Sequence, residues 1–97
     1  MSASLSTHVL DTGAGRPASG IVVRLEKDGR EVASGTTDGD GRIRELARDL
    51  AAGTYRIVFE TRSPFFKRVA VDVEIGDGPH HVPLLLSQFG VTLYRGS

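Results

Sequence analysis

Three histidines, His8, His80 and His81, are the side chains of this chain best suited to moving protons near neutral pH. An unperturbed imidazole titrates at about 6.5, so it can accept and return a proton at working pH. Arg42 follows the tight run Asp38-Gly39-Asp40-Gly41. Its guanidinium can fork two N–H donors onto a planar carbonyl edge, or stabilise negative charge as it develops. The run Tyr94-Arg95-Gly96-Ser97 adds a phenol, a second guanidinium, a hydroxyl and a terminal carboxylate. Taken alone, a histidine in a small β domain reads as structural, Arg42 as a turn residue and the last four residues as a frayed tail. Types and positions name the chemistry these groups could do, general acid–base transfer with charge stabilisation, without showing that they meet.

Other chemistries are excluded or weakened. There is no cysteine, so no disulfide, thiolate nucleophile or thiolate metal site exists. Asp38-Gly39-Asp40-Gly41 has the look of a calcium loop but lacks the later ligands and bidentate Glu of an EF-hand, and reads as a turn. Ser87 sits in no G-x-S-x-G elbow. Basic and acidic residues number 12 each, against the basic excess that nucleic-acid binders use to displace counterions. Met1–Leu10 has no basic region followed by an apolar core, and there is no Ser-Lys-Leu type terminus. A cytoplasmic protein with neither nucleic-acid nor membrane partner is expected.

The elements that must position these groups read as strands. A chain of 97 residues fits a single domain, 1–97. In Leu5-Ser6-Thr7-His8-Val9-Leu10, alternation puts Leu5, Thr7 and Val9 on one face and His8 on the other. Residues 11–20, with three glycines and Pro17, read as a loop. Ile21–Leu25 and Glu31–Thr37 flank the hairpin signal Asp28-Gly29. Further strands are predicted at Thr54–Phe59, Arg68–Ile75, His81–Leu86 and Val91–Tyr94. Glu45–Ala52 holds good helix formers with Leu46 and Leu50, and Gly53 would end one or two helical turns there; a loop is the other reading. Seven or eight strands, with turns roughly every 8–12 residues, point to an antiparallel sandwich.

Two stretches carry a family resemblance. The first is Leu5-Ser6-Thr7-His8-Val9-Leu10-Asp11 with Gly15-Arg16-Pro17-Ala18. The second is His81-Val82-Pro83-Leu84-Leu85-Leu86-Ser87, Phe89-Gly90 and the closing Tyr94-Arg95-Gly96-Ser97, with Thr37–Arg42 between the two stretches. The combination resembles the transthyretin-like 5-hydroxyisourate hydrolases over nearly the whole chain, in the family's order. The resemblance implies an all-β transthyretin-like antiparallel β-sandwich of two four-stranded sheets, with at most one short helix. It implies a homotetramer with sites in a channel between subunits. It also implies opening of the cyclic amide of 5-hydroxyisourate, in urate degradation, without metal or cofactor. Carried over residue by residue, it makes His8, Arg42, His81 and Ser97 catalytic, and Arg42, Tyr94, Arg95, Gly96 and Ser97 substrate-binding. His81 is the favoured general base, the order of proton transfers being open. The chain departs from the family pattern in its short segment Glu60–Lys67, where a helix is expected to shrink to a turn or vanish. It departs also at Gln88, Val91 and His80, the last expected at the surface or rim. A small-ligand carrier, a hydrolase of another cyclic amide and a structural β-sandwich domain are the competing readings.

Overall fold

β-Branched and aromatic residues in period-two alternation, cut by Gly and Asp turns, give a chain of strands and, among the described residues, no helix. The computed structural model describes residues 2–96. The strands are β1 (Ala3–Asp11), β2 (Arg16–Pro17), β3 (Val22–Lys27), β4 (Arg30–Thr36), β5 (Arg42–Leu50), β6 (Gly53–Glu60), β7 (Val69–Ile75), β8 (Gly78–Leu86) and β9 (Val91–Leu93).

They form two sheets. One has the order β4-β3-β6-β7, with every pair antiparallel. The other runs β1-β8-β9, and both β5 and the two-residue β2 pair with β1: β5 along Ala3 to His8, β2 at Leu10 and Asp11. Together these two strands fill one position beside β1. The β1–β8 pair is parallel, the one exception to the antiparallel pattern among the described pairs. The expected sandwich is therefore present, with no helix among the described residues.

Alternation sets the core. Leu5 and Val9 of β1 and Leu84 of β8 face Val23, Leu25, Ile57 and Phe59 of the other sheet, all fully buried. Each such side chain contributes roughly 1.5–3 kcal/mol by leaving water. Thr7 lies among them and is satisfied by donating its hydroxyl to the Val82 carbonyl at 2.7 Å. The Asp28-Gly29 hairpin forms as read, with both residues at positive φ (52° and 80°), the backbone that a two-residue primed turn demands.

Two expectations change. Residues 45–52, read as a helical turn or a loop, lie in β5 and the short connection to β6. Ile43 and Leu46 are buried and Leu50 packs against the core, at a spacing that suits a helix face. A strand reaches the same result because its register against β1 shifts twice, between Ala3/Leu5 and Leu5/Thr7, and the extra residues break the strict alternation of inward and outward side chains. His80, expected at the rim, is only 7% exposed. It registers with the inward-facing Leu5 and is held by the Gly76 N–H on Nε2 and the Gly78 carbonyl near Nδ1.

The segment between β6 and β7 contains no helix, as its shortness required. The Thr61 and Ser63 hydroxyls both donate to the Phe66 carbonyl, and Phe65 meets Phe66 and Phe89 edge-on. Val91 packs against the core, and Gln88 lies in the turn closed by Ser87 N–H to the Gly90 carbonyl.

Candidate active site

Because Leu5, Thr7 and Val9 point into the core, Ser6 and His8 must project from the outer face of the same strand. Neighbouring strands then fix their companions. In the parallel β1–β8 ladder Ser6 is opposite His81, and in the antiparallel β1–β5 ladder His8 is opposite Arg42. Adjacent strands lie about 4.8 Å apart. Three strands thus gather two imidazoles, a guanidinium and a hydroxyl onto one patch, although β8 comes at the far end of the chain.

Each ring is held differently. His8 Nε2 lies 2.9 Å from the carbonyl oxygen of Asp40. A carbonyl only accepts, so Nε2 carries the proton there. That carbonyl is fixed by the turn after it. The Asp38 carboxylate accepts the N–H groups of Asp40 and Arg42 at 2.9 and 3.0 Å. These bonds, led by the Arg42 N–H, hold the Asp38 carboxyl below its usual range. Gly41 has φ 75°, and a Cβ on it would sit 2.4 Å from the Val9 carbonyl oxygen, so only glycine fits. The turn therefore sets the start of β5 and, with it, Arg42.

His81 has Ser6 Oγ 2.8 Å from its Nδ1. Among the described residues its Nε2 has no protein partner. Desolvation, then the positive charge of Arg42, then His8, push the His81 imidazole below its ordinary pKa. Each of these influences favours the uncharged ring. The chain returns to this ring after β9: Gly96 N–H donates to the His81 carbonyl at 2.7 Å. A Cβ at position 96 would lie 2.7 Å from His81 Cδ2. The glycine of the closing motif is thus the residue that lets the backbone lie against the imidazole.

A cavity of about 380 Å³ opens over this patch, lined by Ser6, Arg42, Arg44, His81 and Gly96 among others. Among the described residues Arg42 makes no ion pair, and no cluster of metal-ligating side chains is present. The arrangement offers an uncharged imidazole and a free guanidinium at one wall, suited to activating water beside a polarised carbonyl.

Not every expected residue converges. Tyr94, half exposed, and Arg95 line a separate, mostly apolar hollow of about 310 Å³ with Val71, Val73 and Leu93. Within one chain they do not share the His81 cavity. Ser97 lies outside the described residues. Ser6 was missed as a site residue; its signal was its place two residues before His8 on the same face.

Comparison with known proteins gives a consistent picture. The model of the HIUase/Transthyretin family matches residues 5–96. The 5-hydroxyisourate hydrolase of Salmonella typhimurium is 42% identical, over 96% of this chain and 80% of the relative. That of Caulobacter vibrioides is 39% identical, over 96% and 97%. These alignments span 109 and 112 positions, more than the chain's 97 residues, so the relatives carry residues absent here. The solved 5-hydroxyisourate hydrolase of Klebsiella pneumoniae superposes with a TM-score of 0.92 at 36% identity, covering 98% of this chain and 99% of that one. Sea bream transthyretin in complex with thyroxine superposes with a TM-score of 0.85 at 28% identity, covering 95% and 93%.

Proposed function

From its place in the HIUase/Transthyretin family, to which this chain belongs, we infer that it is a 5-hydroxyisourate hydrolase acting in urate degradation. It opens the cyclic amide of 5-hydroxyisourate to 2-oxo-4-hydroxy-4-carboxy-5-ureidoimidazoline. The fold is shared with a thyroxine-bound transthyretin, so the fold by itself does not separate hydrolase from carrier. What carries the hydrolase reading is the convergence of His81, Arg42 and His8 on one outer patch beside a cavity. A carrier has no need of a desolvated imidazole next to a guanidinium that pairs with no acid among the described residues.

In this reading His81 is the general base. Its lone pair at Nε2 takes a proton from water, and the hydroxide formed attacks the amide carbonyl carbon. Arg42 directs its N–H groups at the carbonyl oxygen and stabilises the oxyanion. The proton held by His81 then passes to the departing ring nitrogen as the C–N bond breaks. His8 cannot use Nε2 as a base while that nitrogen donates to Asp40. It stands beside the cavity rather than in its lining, and after desolvation and Arg42 it adds to what favours the uncharged form of His81.

Four subunits, with sites in a channel between them, complete the proposal. Tyr94 and Arg95 then reach substrate from positions that a single chain does not bring to His81, and Ser97 takes part with them. Cytoplasmic location belongs to the same reading; no helix among the described residues is long and apolar enough to cross a membrane. The test is direct. 5-Hydroxyisourate is generated in situ from urate with urate oxidase, and its ultraviolet decay is followed with and without the protein. Acceleration of that decay is expected; an unchanged decay would return the chain to the carrier reading.

A further inference from the structure

Resting on the hydrolase reading, we infer that Ser6 is a positioning residue that sets the tautomer of His81 and so aims its lone pair at the cavity.

The hydroxyl of Ser6 has two neighbours. Its Oγ is 2.8 Å from His81 Nδ1 and 3.4 Å from the carbonyl oxygen of His80. A hydroxyl has one proton to give and two lone pairs to accept with. A carbonyl can only accept. Both contacts are satisfied together in a single arrangement: Ser6 donates to the His80 carbonyl, and His81 Nδ1–H donates to Ser6. The ring proton then sits on Nδ1, and Nε2 keeps its lone pair.

The register makes this contact a property of the sheet. Ser6 and His81 are direct partners in the parallel β1–β8 ladder, so the hydroxyl meets the ring at its Nδ1 edge without any loop to hold it. On its Cδ2 side the ring lies against Gly96, where a Cβ would come within 2.7 Å of it. A hydroxyl is also a particular choice of partner. A carboxylate on Nδ1 would stabilise the imidazolium and raise its pKa. Serine orders the proton without adding charge. The groups that act electrostatically on His81 among the described residues, Arg42 and His8, both favour the neutral ring.

The two histidines therefore carry opposite tautomers. His8 is protonated at Nε2 by its bond to Asp40, and His81 at Nδ1 by its bond to Ser6. Of these two, His81 alone presents an unprotonated Nε2, and Ser6 is what separates the roles.

The experiment joins kinetics to nitrogen NMR on the whole protein. Ser6→Ala is expected to lower kcat about ten- to a hundredfold, as loss of a ring-orienting partner does, with KM little changed. Ser6→Thr keeps the hydroxyl on a strand-favouring side chain and should restore most of the rate. Long-range ¹H–¹⁵N spectra recorded above the imidazole titration should show His81 protonated at Nδ1 in the parent and a mixed tautomer in Ser6→Ala. Thermal melts verify that the variants are folded. A parent spectrum with His81 protonated at Nε2, or a Ser6→Ala protein with unaltered kcat and tautomer, overturns the inference. If the parent does not hydrolyse 5-hydroxyisourate, the functional reading fails instead, and the spectra still decide whether Ser6 fixes the ring.

Discussion

The outer faces of the two sheets use their charged side chains in opposite ways. On β4-β3-β6-β7, Arg56 of β6 pairs with Asp72 of β7 at 2.8 Å, and Glu60 is shared by Arg24 and Arg68. Thr54 adds a hydrogen bond to Glu74 across the same ladder. The cations there meet carboxylates on adjacent strands, as cross-strand pairs do in ordinary sheets. The result lowers the carboxyls of Glu60 and Asp72, through hydrogen bonds from Arg68 and Arg56 respectively. On the β1, β5 and β8 face, Arg42 has no acid partner among the described residues, and it stands near His81 and His8. A guanidinium held beside imidazoles without a counter-charge adds nothing to the stability of a surface. Such a group is kept where the missing charge comes from something that binds. The lesson is that charge balance within a face separates a solvated surface from a site better than charge content does.

This contrast can be broken by substitution. The largest effect belongs to the unpaired face. His81→Ala and Arg42→Ala should each reduce turnover of 5-hydroxyisourate by about 10²–10⁴-fold, read from the ultraviolet decay, with melting curves close to the parent. Retained rates in both would place the chemistry elsewhere.

Next comes the electrostatic coupling inside the patch. His81 acts only when uncharged, and burial, Arg42 and His8 all lower its pKa. A depressed pKa keeps the ring uncharged further into acid. The acid limb of kcat/KM should therefore fall with its midpoint below about 6.5, the ordinary imidazole value. Removing the positive charge in Arg42→Gln takes away one of the lowering influences, so the His81 titration followed by NMR should move upward. A downward move would contradict the proximity on which the site depends.

The smallest effect is expected on the paired face. Arg56→Ala removes an exposed cross-strand pair, and exposed pairs contribute little because water screens them. Turnover should be unaltered and the melting temperature nearly so. A large loss of activity from this substitution would show that the two faces are not functionally distinct.

Much of this was legible because it is local. Period-two alternation puts Leu5, Thr7 and Val9 inside and Ser6 and His8 outside, and it marks Val69 to Ile75 as a strand with one inward side. Asp28-Gly29 closes its hairpin by intrinsic backbone preference. The terminal motif and the segment around His8 identify the family, and with it the expected sandwich.

What the chain order concealed is pairing. Nothing near Ser6 announces that β8 will lie beside β1 in parallel and bring His81 to its hydroxyl. Ile43, Leu46 and Leu50 suit a helix, and only their register against β1, with its two shifts, makes them a bulged strand. His80 and His81 are neighbours in sequence and both border the cavity, yet the register buries the first behind Leu5 and turns the second to Ser6 on the outer face. Tyr94 and Arg95, adjoining Gly96, line a different hollow. Alternation is a property of a single strand and can be read from it. Which strands meet, and in what register, is decided by burying both apolar faces at once, and that sum exists only in the folded chain.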